Sequence, residues 1–193
     1  MIRKLYDWTY NLSKHPRSFW ALFIIAFIES SVFPIPPDVL LIPIIFANRH
    51  KALRLAFICT IGSTLGGIFG YGIGYFLYQE IGVPIMNTYG YTDAIAKFSE
   101  LYNYWGVWII AAAGFTPFPY KVITITSGVT HFPFWIFVIT SVLSRGARFY
   151  LVAIILMIFG DKMEQLLEKH FNLITTLFFV LFFGGFFVVY KFL

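Results

Sequence analysis

FPIPPD at Phe33–Asp38 and TPFPYK at Thr116–Lys121 share one frame. Pro34 and Pro36 lead to Asp38, with Pro37 as an extra ring. Pro117 and Pro119 lead to Lys121. Both stretches interrupt long apolar regions. Proline lacks an amide hydrogen and its ring clashes with the preceding turn, so it disrupts a helix. The backbone groups so freed cannot face lipid; they must sit inside protein or line a wet cavity. Two matched breaks predict a shared, partly hydrated interior.

Composition places these breaks in a membrane protein. Of 193 residues, 59% are hydrophobic and 12% charged, with mean hydropathy +0.78. A soluble domain carries roughly 25% charged residues. Too little polar surface remains to cover the chain in water, and its length suits one compact membrane domain. Lys and Arg outnumber Asp and Glu by 14 to 9. The bases flank apolar segments, so they suit anionic headgroups rather than nucleic acid.

The sole cysteine, Cys59, lies in an apolar run, which leaves no disulfide framework and no zinc spacing. His15, His50, His131 and His170 fall in connectors or near segment ends, without ligand spacing. No nucleophilic triad is visible. The expectation is therefore a protein that is not an enzyme and carries no metal or cofactor. The first apolar stretch leads into Glu29 and a proline cluster with no small-residue cleavage site, so it is expected to stay.

The chain divides by apolar length and by charge. Residues 1–17 mix Arg3, Lys4, Lys14 and Arg17 with Trp8 and Tyr10, which predicts an interfacial helix. Residues 18–48 hold two short apolar pieces around the first break, each under the roughly 20 residues needed to cross. They predict a re-entrant hairpin that enters and leaves on one side. That puts Arg17 and the Arg49–Arg54 group on the same, cytoplasmic face. Residues 55–78 are long enough to span. Gly62, Gly66, Gly70 and Gly74, each four apart, give this helix a smooth strip for close packing.

Residues 79–104 carry three acids and one base, as an outer connector would. Ile95, Phe98, Leu101 and Tyr102 have helical spacing within it. Residues 105–132 repeat the pattern of two short pieces about a break and predict a second re-entrant hairpin. Residues 134–160 and 171–192 read as further spans. The fold expected is all-α and integral to the membrane: two re-entrant hairpins in an inverted repeat, about three transmembrane helices and the interfacial helix.

An offset of 83 aligns Pro34 with Pro117, Pro36 with Pro119 and Asp38 with Lys121. The order of elements repeats around it. Inverted repeats with broken helices are a recurring transporter design, with the site near the midplane.

Glu29, Asp38, Lys121, Arg145 and Arg148 fall at apparent membrane depth. A central charge costs roughly 2.5–3.5 kcal/mol, so these five must face one another, water or a charged ligand. Arg145 and Arg148 share a helix face. Their alternatives are a structural ion pair with Glu29 or Asp38, or an anion site. Three bases against two acids suit an anionic ligand such as a lipid phosphate, held by the Arg forks and the Lys point charge. Protonation of Glu29 and Asp38 would turn them from repelling such an anion to tolerating it.

At these residues the sequence resembles the DedA family of bacterial membrane proteins, with its SNARE-associated or VTT-domain group, and most of all its shorter, YqaA-like members. The carriers are Glu-Ser-Ser-x-x-Pro-x-Pro-Pro-Asp at Glu29–Asp38, Gly-Phe-x-Pro-x-Pro-x-Lys at Gly114–Lys121 and Ser-Arg-Gly-x-Arg at Ser144–Arg148. The resemblance implies a bacterial inner-membrane protein with two facing hairpins. It implies proton-coupled translocation of a lipid phosphate such as undecaprenyl phosphate, supporting envelope and membrane homeostasis. Glu29 and Asp38 match the family's acidic pair. Lys121 matches the second of two hairpin arginines, and Phe115 stands where the first would be.

The leading expectation is thus a flippase with phosphate between Lys121, Arg145 and Arg148, and with Glu29 and Asp38 coupling protons. Its partners would be a polyprenyl phosphate or other anionic lipid, protons and membrane lipids. A homo-oligomer is allowed. The alternative is a non-catalytic membrane-organising protein whose buried charges serve packing alone. An intramembrane lipid phosphatase lacks a recognisable nucleophile.

Overall fold

A computed structural model describes residues 18–31, 36–82, 84, 92–116 and 119–160. The expected interfacial helix, the connector 161–170, the last span, Pro34 and Pro117 lie outside these residues. Those described form an all-helical bundle: α1 Ser18–Ser31, α2 Asp38–Ala47, α3 Ala52–Leu77, α4 Thr92–Phe115, α5 Tyr120–Val129 and α6 Phe134–Gly160. A 3₁₀ turn at Arg49–Lys51 leads into α3, and a π turn at Tyr78–Gly82 follows it. Two helical stretches, Arg49–Glu80 and Phe134–Gly160, are long and apolar enough to cross a membrane. Trp20, Trp108, Trp135 and Leu143 are largely exposed, a surface suited to lipid.

One boundary differs from the expectation. The charge pattern predicts an outer connector over 79–104, yet α4 already begins at Thr92. Neither Gly nor Pro occurs between Thr92 and Trp105, so nothing stops the helix there. The helical spacing of Phe98, Leu101 and Tyr102 belongs to α4 itself.

The glycine strip decides the packing. Gly62 faces Phe23 and Ala26, Gly66 faces Phe27, and Gly70 faces the Ser30 carbonyl. These contacts advance together, so α1 runs parallel to α3 along its first half. Gly67 then faces Tyr120, Gly70 faces Thr124, and Gly74 faces Ile125 and Val129. Thus α5 continues where α1 stops, also parallel to α3. The junction is marked by the Thr124 hydroxyl, which lies 2.9 Å from the Lys121 carbonyl of its own helix and 3.3 Å from the Ser30 carbonyl of α1, so its one proton is shared between them.

A matching column lies along α6. Gly106 of α4 faces Phe132, Gly114 faces Ser144, and the Thr116 carbonyl meets Arg148. From there α2 takes over: Asp38 meets Arg148, and Leu40, Leu41, Ile44 and Ile45 share an apolar cluster with Phe149, Ala153 and Leu156. Arg49 ends beside Gly160. The long helices run antiparallel, with Thr60 by Gly146, Ser63 by Arg145 and Tyr71 against Phe134 and Phe137. The offset of 83 carries α2 onto α5 and α3 onto α6 to within about one residue. Each of α3 and α6 is therefore flanked by one helix from its own half of the chain and one from the other.

The end of α5 shows how a non-glycine residue closes a helix here. His131 has φ 54°, its amide donates to the Gly128 carbonyl at 3.1 Å, and the Phe132 amide donates to the Ser127 carbonyl at 2.9 Å. This is a Schellman closure, normally made by glycine. The His131 ring packs on Tyr75 and its Nε2 lies 2.9 Å from Gln79 Nε2. His131→Gly is expected to leave stability unchanged or raise it by up to ~1 kcal/mol, because the left-handed strain is removed. His131→Val is expected to lower it by about 1 kcal/mol or more, since a β-branched residue resists positive φ. Thermal unfolding in one detergent, compared across the three chains, measures both.

Candidate functional site

The site lies where four helix ends meet the middle of α6. α1 ends beside Glu29, α2 begins at Asp38, α4 ends at Phe115 and α5 begins at Tyr120. The prolines explain this convergence. Pro36 and Pro37 precede α2, and Pro119 precedes α5. A fixed φ and a missing amide suit a helix start and forbid continuation. Two apolar clusters close the site from either end. One gathers Leu22, Leu41, Ile45, Leu55 and Phe149; the other gathers Tyr71, Tyr102, Ile110, Tyr120 and Phe137.

Arg145 sits at the seam between the clusters. Its side chain is 1% exposed. Nη2 donates to Glu29 Oε2 at 2.6 Å and approaches Ser30 Oγ at 3.4 Å, while Nε donates to Ser63 Oγ at 2.5 Å. The guanidinium lies 5.0 Å from the Tyr120 ring centre and 4.8 Å from that of Phe149. Ser30 donates its one proton to Glu29 at 2.9 Å, so Ser63 is the donor in the 2.7 Å Ser30–Ser63 bond. A buried charge is tolerable only when paired and hydrogen-bonded, and this one is both.

Arg148, one turn further, is more open. Its side chain is 15% exposed and that of Asp38 19%. Nη2 pairs with Asp38 Oδ2, and Nη1 donates to the Thr116 carbonyl at 2.7 Å. Asp38 Oδ1 is buried without a hydrogen-bond partner among the described residues. Lys121 is half-buried in the first turn of α5, beside Tyr120.

Of the five predicted residues, the structure pairs four: Glu29 with Arg145 and Asp38 with Arg148. The two arginines thus hold acids in this state, rather than standing together as an open anion site. Sequence reasoning missed the neutral partners. Ser30, Ser63, Tyr120, Ser141 and Thr124 form the lining: Tyr120 donates to Ser141 Oγ, and Thr124 joins α5 to α1. Their signal was hydroxyls inside otherwise apolar helices: near Glu29 and Lys121, on the glycine helix, or, for Ser141, about one turn before Arg145.

An all-helical membrane protein with paired charges buried where broken helices meet is the class that this fold and site define. The chain belongs to the VTT domain family, the domain of the DedA proteins, whose pattern matches residues 33–157. It is 39% identical over 170 residues to an uncharacterised protein of Haemophilus influenzae, covering 88% of each chain. An uncharacterised protein of Histophilus somni is 37% identical over 171 residues, again with 88% of each covered. No solved structure matches.

Proposed function

We propose that this protein is a transporter that moves a lipid phosphate, such as undecaprenyl phosphate, between leaflets of the bacterial inner membrane, coupled to protons. The observation that carries this reading is the convergence of both proline breaks on Arg145 and Arg148. Membership of the VTT family supports a transporter-like membrane role.

In this reading α1 with α2, and α4 with α5, are re-entrant hairpins of an inverted repeat. The lengths of α1, α2 and α5 support it, while α4, at about 36 Å, enters the second hairpin only with its last part from Trp105 on. At 1.5 Å per residue, α1 is about 21 Å long, and α2 and α5 about 15 Å each, short of the ~30 Å hydrocarbon core. End to end, α1 with α5 and α4 with α2 make two composite columns. The basic group Arg49–Arg54 lies at one end of the bundle with the start of α1, and Glu80 lies at the other. The basic end, and with it the N-terminus, faces the cytoplasm.

The phosphate binds at Lys121 and Arg148, one turn from the Glu29–Arg145 pair. Three bases and two ionised acids sum to one positive charge. Protonation of one acid raises that to two, which strengthens the hold on an anion. Release of the proton on the far side restores the ion pair and expels the phosphate. Asp38, paired with Arg148, is the group that couples the two fluxes.

Purified protein in vesicles loaded with a fluorescent polyprenyl phosphate is expected to move it across, faster with an imposed proton gradient. Lys121→Ala and Arg148→Ala each remove a charge-assisted contact worth about 1.5–3 kcal/mol. Each is expected to slow movement by roughly tenfold or more. Full rates in both variants would exclude this site. The one-to-one pairing of acids with arginines favours a second reading, in which the charges only organise the bundle. That reading expects no lipid movement by the folded wild-type chain.

A further inference from the structure

We infer that the two ion pairs on α6 differ in kind: Glu29–Arg145 is a permanent clasp, and Arg148–Asp38 is an exchangeable pair, in which a lipid's phosphate takes the place of the Asp38 carboxylate on Arg148. This rests on the phosphate reading above and assigns its parts.

The two arginines hold different joints. Arg145 bonds Glu29 at the end of α1 and lies on the ring of Tyr120 at the start of α5. It closes the column along α3. Arg148 bonds Asp38 at the start of α2 and the Thr116 carbonyl just past the end of α4. It closes the column along α6. Each arginine therefore grips one flank of each proline break.

The joints are not equally made. At the first, Arg145 is 1% exposed, with Glu29, Ser30 and Ser63 around its nitrogens and aromatic rings from Tyr120 and Phe149 beside its plane. Ser30 also supplies a donor to Glu29, and its carbonyl shares the Thr124 hydroxyl proton. An incoming anion would have to displace this whole set. At the second joint, Asp38 meets Arg148 through Oδ2, and Oδ1 is buried without a partner among the described residues. A guanidinium fork suits two parallel bonds to an anion, and a phosphate has oxygens enough to give them. The carboxylate also sits at the first residue of α2, where the helix dipole favours a negative group of either kind. Arg148 and Asp38 are 15% and 19% exposed, so the exchange has a way in that Arg145 lacks.

The charged or titratable groups set around Asp38 among the described residues come from several helices. α6 contributes Arg148 and Arg145, and α1 contributes Glu29. α3 sets Cys59 within electrostatic range of Asp38, Glu29 and Arg145. Arg145 is thus a positioning residue, which keeps α6 and its Arg148 in register with the two breaks.

Charge reversal separates the roles. The probe is decyl phosphate, with decanol as the uncharged control, added to the full-length chain in nanodiscs and followed by calorimetry. In Glu29→Arg/Arg145→Glu the clasp is reversed but kept, and affinity for decyl phosphate is expected to stay within about threefold of wild type. In Asp38→Arg/Arg148→Asp the pair is also kept, yet affinity is expected to fall by roughly tenfold or more, the worth of a charge-assisted contact. If the first reversal does not fold, Glu29→Gln/Arg145→Gln replaces it with the same expectation. Binding lost in a folded first variant, or retained in the second, overturns the inference.

A measurement without phosphate tests the asymmetry independently. Phenylglyoxal modification, mapped by peptide mass, is expected at Arg148 and not at Arg145 in the folded protein. Equal or reversed modification overturns the inference. Wild type that labels as expected but binds no alkyl phosphate defeats the phosphate reading instead, and the exchange at Arg148 with it.

Discussion

Arg145→Ala is expected to destabilise the folded chain by about 3–5 kcal/mol, the cost of leaving a buried charge without its partner. Glu29 would stay at 13% exposure in an apolar seam, with Ser30 as its remaining side-chain donor among the described residues. Ser63 would lose the Nε–H donor, and the faces of Tyr120 and Phe149 would lose the cation between them. Both apolar clusters end at this seam, so the damage reaches both ends of the bundle. Adding Glu29→Gln is expected to recover part of the loss, because a neutral amide is cheaper to bury than an unpaired carboxylate. Reversible unfolding in mixed micelles, followed by tryptophan fluorescence, measures the single and double variants. An Arg145→Ala chain as stable as wild type would show that the pair does not hold the bundle.

Gly66→Leu is expected to cost about 3 kcal/mol or more. Any Cβ at Gly66 would run into the backbone of Phe27: its carbonyl oxygen, its carbonyl carbon at 2.8 Å and its Cα at 2.9 Å. A side chain can turn away, but a backbone cannot, so α1 must leave α3. Overpacking a core typically costs 1–3 kcal/mol, and this collision sits at or above the top of that range. Gly74, pressed on the Ile125 carbonyl, is expected to respond in the same way through α5. Gly72 is the control. Nothing lies within 4 Å of a Cβ there, so Gly72→Ala is expected to be neutral or to stabilise by up to ~1 kcal/mol from helix propensity. Yield of folded, monodisperse protein and thermal stability separate the three. Equal tolerance at Gly66 and Gly72 would mean that α1 does not lie along the strip.

Much of this was legible before any coordinates. Composition indicates membrane, and proline chemistry stops α1 before Asp38 and starts α5 after Pro119. The four-residue glycine period marks the packing face of α3. These are local properties: a missing amide, an absent side chain, a helical repeat. The offset of 83 likewise follows from reading one break onto the other. The start of α4 at Thr92 was less legible, because its first turns carry Asp93, Lys97 and Glu100 and resemble a surface connector. Polarity marked the surroundings, while backbone propensity set the boundary.

The partners at the site were not legible. Sequence listed two acids and three bases at depth and left open an ion pair or an anion site. Glu29 and Arg145 stand 116 residues apart, and Asp38 and Arg148 stand 110 apart. No local rule chooses between these pairings and their exchange. The choice comes from α1 and α5 sharing α3, while α4 and α2 share α6. The same packing brings Ser63 and Tyr120 to one arginine and the Thr116 carbonyl to the other. The sequence by itself determined where helices must break, which face must be smooth and which charges need company. Only the tertiary structure decided who that company is, because pairing between distant helices depends on how their surfaces fit, and on no property of either segment alone.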